Sequence, residues 1–326
     1  MDLDLDDEFE TGVCDEGMVR CVFSTVGLEE DTGVTTREYA EKRYWFIDEV
    51  GNGLFSVRRI NASHVPTGEP TIIPLDELME KYVPEIPYYE EKTIPAMNQL
   101  EDYLDDGDQH RQAGKLYSAA NLYKKALCLD EQNVRALFSL GLIYLDQQDV
   151  AKARALVGDI LNIKSAFEGK NQYLFNELGI SLRKSGLFDE AVNYYTHALR
   201  YVDQDENLYY NIARANYEKS DWAACIHAIE RIFEINPHLD AAHELVSIVL
   251  TLSDNPGLRD RNNKASIPDS IVQQINELFT ERPDSGLLRS KVPSDIIRFN
   301  YSGRANEVPV PGHADDSSEK PRPEAD

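Results

Sequence analysis

Residues 176–203 read NELGISLRKSGLFDEAVNYYTHALRYVD, and the reading of this stretch decides the fold. Its apolar residues recur at helical spacing on both sides of Gly186, which predicts two helices joined by a tight turn. Gly179 and Ala191 stand twelve positions apart, one in each helix. Antiparallel helices approach closely only where a side chain is absent or a single methyl, so this pair marks a crossing point.

The same phase runs through the neighbouring sequence. Small residues recur at Gly107, Gly141, Gly179 and Ala213, at intervals of 34, 38 and 34. A second column reads Ala119, Ala153, Ala191 and Cys225, and a looser third reads Ala126, Ile160, Ala198 and Ile232. Large apolar columns lie between them: Leu116, Val150, Phe188 and Trp222; Tyr123, Val157, Tyr195 and Ile229; Leu127, Leu161, Leu199 and Phe233. Gly114 and Gly186 sit where a first helix must stop and turn. A lone hairpin cannot bury its second face, so such units stack into a solenoid. Four extra residues near positions 164–171 predict a longer loop or a helix extension. Residues 240–252 predict a capping helix, with His243 and Glu244 facing out.

These columns resemble the tetratricopeptide repeat family. Residues 176–203 carry its Leu-Gly pair at Leu178 and Gly179, its Gly at 186, Phe at 188, Ala at 191, Tyr pair at 194 and 195, and Ala-Leu at 198 and 199. Residues 134–163 match through LGLIYLDQQDVAKA, and residues 206–239 end in the family's Asn236-Pro237. In the first unit Asp106 stands where the others have Leu140, Leu178 and Ile212, although GKLYSAANLYKKALCLD makes a good second helix. The resemblance implies a mainly α fold: a right-handed α-solenoid of four helical hairpins plus a capping helix over residues 100–252.

A different texture precedes it. Residues 18–97 are expected to form a small β-rich or α+β module. Val19, Cys21, Phe23 and Thr25 alternate as in a strand. RYWFIDEV and LFSVRRI flank Gly51-Asn52-Gly53, a β-hairpin pattern. Residues 74–79 suggest a short helix with Pro and acidic residues in its first turn. Residues 1–17, with eight acidic residues and no basic one, read as a mobile tail. Residues 253–302 form an extension with one short helix near 268–279, and residues 303–326 a disordered tail.

Composition narrows the function. A net charge of −25 argues against nucleic acid and anionic membrane as partners. The acidic N-terminus is unlike a signal peptide and no apolar run is long enough to span a bilayer, so a cytoplasmic protein is expected. The four cysteines (Cys14, Cys21, Cys128, Cys225) lack metal-ligand spacing and read as reduced thiols; Cys14 and Cys21 are close enough in sequence to bridge or share a metal, but no cluster completes a site. Gly114-Lys115 lacks the spacing and hydroxyl of a phosphate loop, Gly51-Asn52-Gly53 lacks the third glycine of a dinucleotide fingerprint, and the histidines do not pair at ligand spacing. No cofactor, metal or catalytic group is therefore expected. Residues 18–97 offer only His64 and the carboxylates of Asp48, Glu49, Asp76 and Glu77.

The family resemblance implies that first helices line a concave groove in which ligands bind. Counted from the small columns, the inward positions are Arg135, Phe138 and Leu142 in the second unit, Tyr173, Asn176, Ile180 and Arg183 in the third, and Tyr210, Asn211, Arg214 and Tyr217 in the fourth. Asn amides pair with a peptide backbone, Arg forks onto carboxylates, and Tyr offers rigid contact area. Leu104 and Asp108 stand where some relatives place a Lys and an Asn to clamp a chaperone C-terminus, which disfavours that ligand. The expected function is a non-catalytic scaffold or adaptor that holds a partner protein segment, with carboxylates among its groups; self-association is a further possibility. The alternatives are an export or assembly chaperone for a client protein, and an enzymatic activity confined to residues 18–97.

Overall fold

The computed structural model describes residues 19–28, 40–202 and 204–280. The acidic stretch 1–17 with Cys14, the tail 303–326 and the last part of the extension, residues 281–302, lie outside the described residues. The protein divides into two compact units, one ending at Leu239 and one beginning at Asp240.

The first unit opens with an antiparallel meander: β1 (Arg20–Leu28), β2 (Ala40–Gly51), β3 (Leu54–Ile60) and β4 (Pro66–Pro74). After α1 (Leu75–Lys81), the two-residue β5 (Val83–Pro84) pairs along β1, giving the order β4-β3-β2-β1-β5. The expected hairpin is β2–β3, with Phe46 opposite Arg58 and Ile47 opposite Val57. Asn52 (φ 56°) and Gly53 (φ 71°) both take positive φ, as a two-residue turn of a right-twisted hairpin requires.

Simple alternation predicts one buried face, but both faces of this sheet are covered. Phe23, Ile47, Phe55, Val57 and Ile73 pack with Leu78 of α1 on one side. Val22, Phe46 and Ile60 pack on the other with Tyr44, Tyr88, Tyr89 and Met97. Adjacent Val22 and Phe23 are thus both buried. The second cover comes from α2 (Ile86–Tyr88), which runs through a π-turn at Tyr89–Thr93 into α3 (Ile94–Gln112). The helix that shields the sheet is therefore continuous with the first helix of the repeats.

Four helical hairpins follow. α3 pairs with α4 (Leu116–Leu129), α5 (Val134–Asp146) with α6 (Val150–Leu161), α7 (Gln172–Lys184) with α8 (Phe188–Ala198), and α9 (Glu206–Lys219) with α10 (Trp222–Ile235). In the first unit, exposed Asp106 does not prevent the helix, because Leu100, Leu104 and Gly107 supply its buried stripe. Ala119, Ala153, Ala191 and Cys225 have no exposed surface, which places the second small column at the closest contacts. Tyr123 and Tyr195 use the space a glycine leaves: a Cβ on Gly107 or Gly179 would stand 2.7 Å from the Cε1 of the facing tyrosine.

Each first helix ends at one left-handed residue: Gly114 (φ 72°), Gln148 (φ 58°), Gly186 (φ 76°) and Ser220 (φ 60°). The glycines announce this turn in the sequence; Gln148 and Ser220 make it at a steric cost. Side chains of Asn133, Asp149, Asp205 and Asp221 accept amide hydrogen bonds at the starts of α5, α6, α9 and α10. The insertion before α7 forms two 3-10 turns, Lys164–Phe167 and Gly169–Asn171, tied by Asn171 Nδ2 donating to the Ser165 carbonyl at 2.7 Å.

The β3–β4 loop docks on the end of α4. Asn61 Nδ2 donates to the Leu129 carbonyl at 2.7 Å, and Thr67 Oγ1 donates to Asp130 Oδ1 at 2.8 Å. The last carbonyls of a helix lack partners within it, so this loop satisfies groups that α4 leaves open.

In the second unit, α11 (Asp240–Asp254) packs with α12 (Pro256–Arg261) and α13 (Asp269–Thr280), with Ile275 fully buried. One short helix was expected in the extension, near residues 268–279; α13 lies there, and α12 is a second that was not expected. Among the described residues, no helix is long and apolar enough to cross a membrane.

Candidate functional site

The first helices of the hairpins carry the positions named from sequence, and those positions fall into different environments. In α5 every residue from Ala136 to Leu145 is buried. A helix apolar all round is a core helix, and Phe138 and Leu142 accordingly contribute almost no surface. Arg135, at the start of α5, reaches three carboxylates of α3: Glu101 at 2.7 Å, Asp105 at 2.8 Å and Asp108 at 2.5 Å. Its fork is taken by the protein itself. Arg111 of α3 pairs with Glu177 of α7 at 3.2 Å, an ion pair that joins the first hairpin to the third.

The third and fourth hairpins are more open. Tyr173 is 71% exposed, and Asn176, Ile180, Tyr210, Asn211 and Arg214 are half-buried. The Arg214 guanidinium lies 5.9 Å from the centre of the Tyr210 ring. Tyr217 is buried with its ring edge against Trp222. Arg183 is buried as well, and it and Arg214 both act electrostatically on the Tyr195 hydroxyl. Arg183 and Arg214 thus both bear on Tyr195, whereas Arg135 is committed to α3.

Asn176 lines a cleft of about 130 Å³ between the third and fourth hairpins. The other walls are Phe167, Phe175, Val202 and Leu208, with Asp205 at the start of α9. The cleft is shaped by the insertion: Phe167 stacks on Tyr201 (centroids 5.4 Å, planes 8° apart) and meets Phe175 edge-on at 5.7 Å. His197 packs on the same ring at 5.0 Å, where burial and then the nearby Arg200 charge hold its pKa below the usual value. Phe167, Val202 and Leu208 lie outside the set that repeat phase picks out of the sequence. The signal for Phe167 was an aromatic residue inside a four-residue insertion, a position that a solvated loop leaves polar.

The catalytic alternative rests on His64 and four carboxylates in residues 18–97. His64 Nδ1 lies 2.8 Å from Tyr88 Oη, Glu49 accepts from the Val19 amide at 3.2 Å, and Asp76 and Glu77 lie in the first turn of α1. Cys21, Cys128 and Cys225 are free thiols. Among the described residues, no group of three or more His, Cys, Asp or Glu side chains is placed to hold a metal.

Residues 107–148 match a family model described as TPR repeat, and residues 176–233 match one described as tetratricopeptide repeat. The hairpins in these spans are tetratricopeptide repeats, and neither model extends into the sheet. No curated protein sequence matches this one. Among solved structures, the protein is similar to the MamA protein, at 20% identity over 58% of this chain and 97% of that one, with a TM-score of 0.38. It is also similar to pilF of Pseudomonas aeruginosa, at 16% identity over 56% of this chain and 76% of that one, with a TM-score of 0.36. A third, YrrB, described as a TPR protein with an unusual peptide-binding site, is 17% identical over 56% of this chain and 86% of that one, with a TM-score of 0.35.

Proposed function

We propose that this protein is a non-catalytic scaffold or adaptor that holds an extended segment of a partner protein on the third and fourth hairpins. The cleft beside Asn176 carries this reading. Its apolar walls suit one aliphatic or aromatic side chain, and binding energy concentrates where such an anchor enters a desolvated pocket. The Asn176 amide, with a donor and an acceptor in one plane, suits the backbone on either side of that anchor. Exposed Tyr173 adds rigid contact area next to it. The first two hairpins play a supporting part, since α5 is covered and Arg135 is spent on α3.

The test is selection from a random peptide library displayed on phage. Peptides recovered on the full-length protein should share one apolar position and lose binding to Asn176→Ala, and also to Val202→Trp, which fills the cleft. Equal recovery on the native protein and both variants would overturn the assignment.

A further inference from the structure

The first and third hairpins are related by a shift of 72 residues, and one difference between them is chemical. Gly107 corresponds to Gly179, Arg111 to Arg183 and Tyr123 to Tyr195. The Tyr123 ring lies over Gly107 and its hydroxyl reaches beyond, whereas the Tyr195 ring stops one atom shorter, with its hydroxyl itself over Gly179; in both the arginine charge acts on the hydroxyl. In the first hairpin that hydroxyl donates to Asp108, whose carboxylate also accepts from Arg135. The counterpart of Asp108 is Ile180. The Tyr195 hydroxyl is fully buried and, among the described residues, has no hydrogen-bond partner.

A buried hydroxyl left unpaired costs about 1–3 kcal/mol, so this group favours any ligand that brings it an acceptor. What surrounds it defines the occupant's charge. Arg183 stands on the same helix one turn beyond Gly179, and Arg214 reaches from α9; both charges act on this hydroxyl. Asn211, a half-buried donor, holds the position that Ser139 holds beside Tyr123. Both corresponding side chains reach the surface: Asp108 is 28% exposed, and Ile180 is half-buried.

We infer that the third hairpin is a receptor for a carboxylate of the bound partner, which takes the place that Asp108 fills in the first hairpin and accepts from Tyr195, with Arg183 and Arg214 as counter-charges. This rests on the reading that the same face holds a partner segment, and it adds an acid to the apolar anchor beside Asn176. The chemistry is shared by an Asp or Glu side group and by the terminal carboxylate of a polypeptide.

The experiment follows the ¹³Cζ resonance of Tyr195 in the full-length protein during titration with three probes. N-acetylaspartate N-methylamide presents a side-group acid, N-acetylalanine a terminal acid, and N-acetylasparagine N-methylamide neither. Single groups of this size bind at millimolar levels, so titration to roughly 100 mM suffices. A saturable shift with one or both acids and none with the amide is expected, and the stronger acid identifies the source. Ile180→Asp should supply the carboxylate in place, abolish that shift and keep the melting temperature above that of Ile180→Asn. Equal shifts from all three probes, or no shift at all, would overturn the inference whether or not Ile180→Asp folds. Library peptides that depend on Asn176 but carry no acid would also overturn it while leaving the scaffold reading intact. If no peptide binds the cleft, the scaffold reading fails and the probe titration still decides the receptor.

Discussion

Asn61 spans 68 residues of sequence to donate its side-chain amide to the Leu129 carbonyl at 2.7 Å, and this bond ties the β-sheet to the first repeat. The Asn61 Oδ1 accepts from the amides of Ser63 (2.9 Å) and Val65 (3.0 Å), so one side chain both shapes the loop and docks it. Asn61→Ala should cost about 1–3 kcal/mol, because it leaves a helix-end carbonyl without its donor. Denaturant unfolding reads this as a lower midpoint at unchanged slope. A protein truncated to start at Pro95 should lose more, since it also strips Tyr88 and Tyr89 from the run that leads into α3.

The repeat array was legible because close helix contact imposes a fixed phase: Gly107, Gly179 and the Ala119 to Cys225 column have no other reason to recur so regularly. The β2–β3 hairpin was legible through Asn52 and Gly53. Docking by Asn61 was not, because a contact 68 residues apart leaves no local pattern. In the candidate site, Asn176 was named from its phase together with the family resemblance. The uninterrupted apolar run of α5 held the sign that Phe138 and Leu142 are covered, since that helix has no polar face. Phe167 and Val202 come from segments that break the repeat phase, so column counting passes over them.

Gly179→Ala should destabilise the protein by about 1–3 kcal/mol, the usual cost of forcing a methyl into filled space. The added carbon would stand 2.7 Å from the Cε1 of Tyr195 and closer still to its Cζ and hydroxyl. In a Tyr195→Val background, which copies Val157 of the second hairpin, most of that cost should disappear. A double-mutant cycle by denaturant unfolding measures the coupling, and strict additivity would contradict the packing described.

Gln148→Gly and Ser220→Gly should each stabilise the protein by about 0.5–1 kcal/mol, as the left-handed turn is strained for a side chain and not for glycine. The sites lie in different hairpins, so the gains should add. Gly186→Ala, at φ 76°, should move the melting temperature the other way. Thermal unfolding of the three variants and the Gln148/Ser220 pair checks the signs.

Alkali should unfold the protein cooperatively. Burial and then the Asp108 bond push the Tyr123 phenol up to about 12, and burial raises Tyr194 and Tyr195 as well. A phenol whose folded pKa exceeds its unfolded value near 10 contributes stability that is intact below that pH and is lost as pH rises through the folded value. Circular dichroism and phenolate absorbance followed together should show a late group of tyrosines ionising with the loss of helix. Smooth titration of all seventeen tyrosines near pH 10 would contradict this burial.

The Arg111–Glu177 pair changes how this array should respond to cutting or splicing. Repeat arrays are ordinarily treated as strings of beads in which each bead feels only those beside it. Here bead one also holds bead three directly. Replacing the second hairpin with a longer or rotated unit would therefore break a tie belonging to neither of its own interfaces. Modular engineering of this protein must treat its first three hairpins as a single exchangeable block.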